Sequence, residues 1–312
     1  MRKQWPISRE GSDTMKFKPQ LLSNDEYDLN SLDFTEMYIS EKRDGVRAEV
    51  SNKGILNRSL KVLPNVKVQA WFKEVYENLP DGIIIEAEIH SESLPCRIIA
   101  GICNSDEKDV PEDLKLYIFG IYDEKLNFTE RMVKLDKVLK PIKSKRYALI
   151  KQLMVCSAKE ARILYRDFIK KGYEGAVLMS GAGRYKNGRV TINEHIGFKW
   201  KPVREDDLEI LDITERMLNT NESLTNELGR SYKRNTVDAK ESTGIAATFI
   251  CKLENGMSCG VTITGDEESR RKIWLNKSFY IGKIAVVKSM EGGQKDKLRH
   301  PVLIRIKEGI EK

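Results

Sequence analysis

Lys42-Arg43-Asp44-Gly45-Val46-Arg47 lies between an extended segment, Met37 to Ser40, and a new one that begins at Val46. Asp-Gly permits a tight turn, which puts the lysine at a strand end facing a cleft. A lysine attacks an electrophile only as the neutral amine, so its ordinary pKa of about 10.4 must be lowered by burial or by neighbouring cations. Arg47 could supply that field or bind an anion bidentately. Glu86 and Glu88 interrupt the apolar strand Ile83 to Ile89 and alternate onto one face. Two carboxylates turned into a core would cost on the order of several kcal/mol unless paired, so this face is expected to line a polar cleft. Glu174 opens another apolar strand, where a divalent cation could sit. Lys199 and Lys201 alternate with Phe198 and Trp200 and so face the same way. Like charges side by side repel unless an anion lies between them, and a phosphate is the simplest candidate. Each feature also has a bland alternative: a solvated turn for Lys42, an edge strand with one wet face for the glutamates, a solvent-facing edge for the lysines.

Short stretches rich in Ile, Val, Tyr and Phe must carry these residues. Strands are expected at Met37 to Ser40, Val46 to Val50, Gly82 to His90, Leu116 to Tyr122, Gly175 to Met179 and Gly197 to Lys201. Helical spacing is seen over Val66 to Asn78 and over Ala158 to Lys171, the second capped by Ser157 and stopped by Gly172. The class is α+β, with antiparallel sheets covered by helices. After Pro202 the character changes. Val203 to Asp207 is charged and reads as a linker. Five strands follow: Glu209 to Arg216, Ala246 to Glu254, Met257 to Thr264, Tyr280 to Met290 and Val302 to Lys307. Asn255-Gly256 marks a hairpin, and Glu267 to Asn276 reads as a helix after the third strand. That is the order of an OB-fold barrel. Asn219 to Thr243 is polar and reads as a long loop between the first two strands.

The 312 residues are 40% hydrophobic and 32% charged, enough for one large domain or two smaller ones, and the net charge of +7 draws the chain toward polyanions. No stretch is apolar for the roughly 18 residues of a membrane span. The start, Met1 to Pro6, has no apolar run behind it, against a secretory leader. The five cysteines, Cys96, Cys103, Cys156, Cys251 and Cys259, show no zinc or redox spacing and suit a reducing cytosol. His90, His195 and His300 are too dispersed to suggest a metal site or a Ser-His-Asp triad.

Taken together, the charged segments resemble a known family. Lys42-Arg43-Asp44-Gly45-Val46-Arg47 is similar to the first nucleotidyltransferase motif, Lys-x-Asp-Gly-x-Arg, of ATP-dependent DNA ligases and mRNA capping enzymes. Arg58-Ser59-Leu60-Lys61 resembles the Arg-bearing motif that follows. Glu86-Ala87-Glu88-Ile89 resembles the third motif, with Glu88 at the key position and Ala87 where Gly is usual. Leu116-Tyr117-Ile118-Phe119 resembles the aromatic motif that stacks on adenine, with Gly120 where Asp is common. Glu174-Gly175-Ala176-Val177 and Phe198-Lys199-Trp200-Lys201-Pro202 resemble the fourth and fifth. Leu298-Arg299-His300-Pro301 with Ile304-Arg305-Ile306-Lys307 resembles the end of DNA ligases, although Gly309 and Ile310 replace the usual Asp-Lys. The order and spacing resemble those of small phage-type ligases over most of the chain.

That resemblance implies an adenylation domain over 1–202 and an OB-fold over 203–312. It implies ATP with Mg²⁺, or Mn²⁺, and a lysyl-AMP intermediate on Lys42. Lys199 and Lys201 would neutralise the α-phosphate, Phe119 would stack on adenine, and Arg47 and Glu88 would contact the ribose. Glu174 and Glu88 would hold the metal, Asp44 would act through the metal or hold the turn, and Arg58 would approach the nucleic acid. Arg299, Arg305 and Lys307 are candidates for nucleic acid or pyrophosphate. The implied partner is nicked double-stranded DNA, with no membrane. The implied setting is a monomer in the cytoplasm, phage-encoded or in a bacterial host. Two rivals stay open: an RNA ligase or capping-type nucleotidyltransferase, and a non-enzymatic OB-fold DNA-binding protein.

Overall fold

The computed structural model describes residues 17–23, 27–225, 231–236, 239–290 and 297–307. The leader reading at Met1 to Pro6 and the Gly309-Ile310 departure lie outside them. Two compact units divide the chain, Met1–Trp200 and Lys201–Lys312.

The first unit runs β1 (Met37–Lys42), β2 (Val46–Ser51), β3 (Gly54–Asn57), α1 (Val66–Trp71), α2 (Lys73–Tyr76), β4 (Ile85–His90), α3 (Cys96–Cys103) and β5 (Lys115–Ile121). Then follow α4 (Phe128–Leu139), β6 (Tyr147–Leu149), β7 (Leu153–Val155), α5 (Ala158–Lys170), β8 (Gly175–Ser180) and β9 (Gly197–Trp200). They form two sheets, β3-β2-β4-β5-β6 and β7-β1-β8-β9.

In the five-stranded sheet, Ala48, Val50, Ile85, Ala87, Ile89, Leu116 and Ile118 turn one way, into a core shared with Val68, Phe72 and Ile99. Period-two alternation therefore sends Arg47, Glu49, Glu86, Glu88 and Tyr117 to the opposite face. The four-stranded sheet repeats the logic. Met37, Ile39, Ala176, Leu178 and Phe198 pack with Ala161 and Phe168 of α5, which leaves Ser40, Lys42, Val177 and Lys199 for the other face. Ser157 caps α5 by accepting from the Glu160 N–H at 3.2 Å, as its position in the sequence predicts.

The helix expected over Val66 to Asn78 is broken into α1 and α2 at Phe72, whose backbone (φ −93°, ψ 7°) leaves the helical region while its ring stays in the core. The segment Gly82 to Ile84 precedes β4 rather than belonging to it. Helices α3 and α4 were not expected. A reciprocal cap, Asn127 with Glu130, does mark the start of α4.

The second unit holds β10 (Val203–Asn219), β11 (Ser223–Thr225), β12 (Ser231–Lys233), β13 (Lys240–Lys252), β14 (Ser258–Thr262), α6 (Glu267–Leu275), α7 (Lys277–Tyr280), β15 (Ile284–Met290) and β16 (Arg299–Ile306). Five strands close into a barrel in the order β10-β13-β14-β16-β15, around Ile210, Ile213, Phe249, Val261 and Val287. Val203 to Asp207 is not a linker. It is the first part of β10, paired with β15 from Val203↔Met290 to Asp207↔Val286. Arg204, Glu205 and Asp207 occupy exposed positions, and the half-buried Asp206 pairs with Arg204, on a strand whose backbone bonds are made, so composition alone misleads there. Nor is Asn219 to Thr243 a plain loop. Its described part contains the β11–β12 hairpin and the start of β13, which pairs with the end of β10. The Asn255-Gly256 turn forms as expected, with Gly256 at φ +80°. Among the described residues no helix is long and apolar enough to cross a membrane.

Asn65 fastens the start of α1 to the loop beyond α3. Fully buried, it accepts from the N–H groups of Lys67 (2.8 Å) and Val68 (3.1 Å) and donates to the carbonyls of Ile102 and Lys108, both at 2.9 Å. Asn65→Ala loses a cap and takes one donor from each of two carbonyls, of which that of Ile102 keeps the Ser105 N–H. It should lower the stability of the first unit by about 3 kcal/mol, read as a shift of the urea midpoint. A loss below about 1 kcal/mol would mean that these four bonds do little.

Candidate active site

Lys42 is the last residue of β1, opposite Gly175 of β8, and its carbonyl accepts from the Glu174 N–H at 2.9 Å. The same register puts Glu174 beside the lysine, and Lys42 Nζ donates to Glu174 Oε2. The lysine side chain is 21% exposed. It is therefore half-buried at a strand end rather than loose on a turn. Lys199 lies opposite Val177, which lies opposite Ser40, so Lys199 and Lys42 share a sheet face two strands apart. Trp200 stacks on Tyr165 with ring centroids 4.0 Å apart, which fixes the strand carrying Lys199.

The turn between β1 and β2 is held from three sides. The Gly45 N–H donates to Glu88 Oε1 at 3.1 Å, His90 Nδ1–H donates to the Asp44 carbonyl at 3.0 Å, and Cys96 Sγ donates to the Gly45 carbonyl at 3.2 Å. A Cβ on residue 45 would fall 2.3 Å from the Ile89 carbonyl, so glycine is needed for close approach. Arg43 is the clamp. Its guanidinium lies 3.8 Å from the Tyr117 ring centroid and 4.8 Å from that of Tyr173, and it pairs with Glu92, which also accepts from Tyr117 Oη at 2.8 Å.

On the polar face of the five-stranded sheet, Arg47 donates from Nε to Glu49 Oε1 at 2.9 Å and also pairs with Glu86. Tyr185 Oη donates to the same Glu86 oxygen at 2.8 Å. Glu86 therefore faces with Glu88 as alternation requires, but it is buried in an ion-pair network instead of lining an open cleft. Glu49 is fully buried, and its second oxygen has no hydrogen-bond partner. Burial outweighs the pull of Arg47, and with the nearby Glu86 charge it pushes the Glu49 carboxyl up to about 8. Burial also pushes Glu88 up, against the opposing influence of Lys42, Arg47 and the Gly45 N–H.

Phe119 is half-buried over the Arg47 guanidinium, 4.6 Å from ring centroid to Cζ. The register of β4 with β5 slips here: Glu86 faces Gly120 while Ala87 faces Ile118, so Phe119 is the extra residue of a β-bulge. Gly120 also has a steric reason. A Cβ there would lie 2.7 Å from Glu86 Oε2, so an Asp in its place would require the Glu86 carboxylate to shift.

The structure thus brings together Lys42, Asp44, Arg47, Glu88, Phe119 and Glu174, with Lys199 on the same sheet face as Lys42. Arg58 is exposed on the turn after β3, which Asn57 closes by accepting from the N–H groups of Ser59 (2.8 Å) and Lys61 (3.1 Å). Lys201 opens the second unit, and Arg299, Arg305 and Lys307 lie at or just past the last barrel strand. There Arg305 is exposed and Lys307 pairs with Asp207. Arg43, Glu49, His90, Glu92, Cys96 and Tyr185 were not singled out from the sequence. For Glu49 the signal was present, since Arg47-Ala48-Glu49-Val50 alternates. Among the described residues no group of three or more His, Cys, Asp or Glu could hold a metal. Glu88 and Glu174 offer two hard oxygen donors, a sparse set that suits Mg²⁺, which keeps several waters and takes phosphate oxygens as further ligands.

With this geometry the comparisons agree. The family model described as ATP dependent DNA ligase domain matches residues 19–195. The DNA ligase of African swine fever virus, strain Badajoz 1971 Vero-adapted, is 25% identical over 193 residues, which is 58% of this chain and 45% of that protein. The DNA ligase of the isolate Pig/Kenya/KEN-50/1950 is 26% identical over 197 residues, 59% of this chain and 46% of its own length. The aligned region therefore spans less than half the length of these curated relatives. Among solved structures, a Chlorella virus DNA ligase-adenylate superposes with TM-score 0.54 at 22% identity, over 94% of this chain and 99% of that one. A structure from a study of Lig E DNA ligases superposes with TM-score 0.71 at 17% identity, over 93% and 99%. Both likenesses are of fold.

The elevated Glu49 pKa has a stability consequence. The folded state retains a proton that the unfolded state loses near 4.5, so this group's contribution is present at low pH and is lost as pH rises from about 4.5 through about 8. Glu49→Gln should gain stability relative to the parent between pH 5 and pH 9. Parallel denaturant titrations check this, and a constant difference across that range would contradict it.

Proposed function

The chain belongs to the ATP-dependent DNA ligase family, and from that membership we propose that it seals nicks in duplex DNA, with ATP as adenylyl donor and Lys42 as nucleophile. One observation carries the reading: a half-buried lysine amine at a strand end, flanked by Glu174 and Glu88 and sharing a sheet face with Lys199.

Lys42 Nζ attacks the α-phosphorus of ATP, a P–N bond forms, and the P–O bond to pyrophosphate breaks. The adenylyl group then passes from Nζ to the 5′-phosphate at the nick. The 3′-hydroxyl attacks that phosphate and AMP leaves. Little covalent chemistry falls to the protein, so positioning and charge compensation are its tasks. The Lys42–Glu174 contact must break and the amine must shed its proton before its lone pair can reach phosphorus. Lys199 and Lys201 compensate the α-phosphate charge. Phe119 offers the face turned away from Arg47 to the adenine. Arg47, fixed by Glu49 and Glu86, supports that ring and presents positive charge toward the ribose, which Glu88 also contacts. Asp44 holds the turn, and Arg58 approaches the 5′-phosphate. Mg²⁺ or Mn²⁺, held by Glu174 with Glu88, would neutralise phosphate oxygens. On the barrel, exposed Arg305 is favoured over Lys307 and Arg299 for pyrophosphate or nucleic acid, because Lys307 is engaged with Asp207. Five free thiols fit a monomer working in a reducing cytosol.

Incubation with radiolabelled ATP and Mg²⁺ should label the parent protein and fail to label Lys42→Ala. Lys42→Arg should fail too, since a guanidinium stays protonated. Lys42→Ala takes a cation from the mostly buried Glu174, at a cost on the order of 3 kcal/mol, and Lys42→Arg keeps one there, so both variants remain folded. Label retained on Lys42→Ala would end the assignment. Affinity for nicked duplex should fall with salt at a log–log slope of about −0.9 per phosphate contacted.

A further inference from the structure

We propose that the lysines at the end of α4 and on the loop after it, Lys137, Lys140, Lys143 and Lys145, form a second phosphate-binding surface, which grips duplex DNA about four base pairs from the nick; this rests on the ligase reading above. The stretch of chain that carries them, Lys137 to Lys159, holds seven Lys and Arg and no Asp or Glu. The other 47 of the 54 basic residues are matched by the 47 acidic ones, so the whole excess of +7 sits in one stretch of chain. These lysines are presented to solvent, Lys137 and Lys140 at the end of α4 and Lys143 and Lys145 on the following loop, while Lys151 lies past the other end of β6. The one arginine is already engaged, because Arg146 stacks on Trp71 at 4.1 Å and lies 3.6 Å from Glu74. A broad open cleft of about 960 Å³ runs beside Lys140, Lys143 and Lys145, with Glu74 and Asp136 as the acids in its wall.

Sheet register sets the end of the sheet at which this surface lies, on the side of α2 and α4 rather than the side of Arg47 and Glu88. Val46 pairs with Ile89, Ile89 with Leu116 and Leu116 with Tyr147, so the basic loop enters β6 at the same sheet end as the Lys42–Val46 turn. Three strand spacings separate them, about 14 Å. At about 3.4 Å per base pair that is about four steps of duplex. Exposed ammonium groups on flexible stems suit sequence-independent contact with a run of phosphates.

The full chain carrying Lys140→Gln, Lys143→Gln and Lys145→Gln together tests this against nicked duplex over a salt series. Labelling by ATP without DNA should be unchanged; absence of label on the parent protein would sink the ligase reading separately, whatever the DNA result. The salt slope should become shallower by about 2.7, at about 0.9 for each phosphate no longer neutralised. The difference between variant and parent should vanish on duplex bearing uncharged methylphosphonates four to seven steps from the nick, tried on each side in turn. An unchanged slope overturns the proposal and leaves an acidic protein as the occupant. A difference that persists on both methylphosphonate duplexes overturns the placement.

Discussion

One guanidinium makes the polar face of the five-stranded sheet tolerable. Glu49, Glu86 and Glu88 all project from that face, and two of them are buried to the point where water cannot stabilise charge. Arg47 meets Glu49 and Glu86 directly, Tyr185 satisfies Glu86 further, and the Phe119 ring closes over the guanidinium. A buried network of this kind contributes little net stability compared with an apolar core, but removing one partner leaves an uncompensated charge. Its value here lies in rigidity. Arg47 cannot move without exposing carboxylates to one another, so the ring above it is held as a fixed platform.

Rigidity at the nucleophile has a different origin. Lys42 is fixed by strand pairing up to its own carbonyl, and the turn beyond it is pinned by Glu88, His90 and Cys96. Arg43, one residue on, is locked between two tyrosines. Only the aliphatic stem and amine of Lys42 are left to move. A nucleophile that must reach a phosphorus and later release its cargo benefits from a mobile tip on an immobile base.

Much of this was legible in the residues. Lys-x-Asp-Gly stands out because the glycine is required by close backbone approach, and such needs leave marks in sequence. The glutamates at 86 and 88 declared a polar face by alternation. The barrel order followed from hairpin and helix signals. What stayed hidden depends on tertiary pairing. Val203 to Asp207 has the composition of a linker and becomes a strand only because β15 supplies partners. The hairpin in the 219–243 segment has no apolar pattern to announce it. Phe72 breaks a helix whose spacing is continuous, because the core claims its ring. Glu49 alternated correctly but lacked any reason to be noticed until Arg47 was seen to need it.

The bulge in β5 sets Phe119 and Gly120 on the same side of the sheet, while Ile118 and Ile121 both remain inside. An odd insertion has thus been absorbed without changing the parity of either flank. Loss of the one extra residue would restore regular alternation, and the strands on both sides would keep their inside and outside.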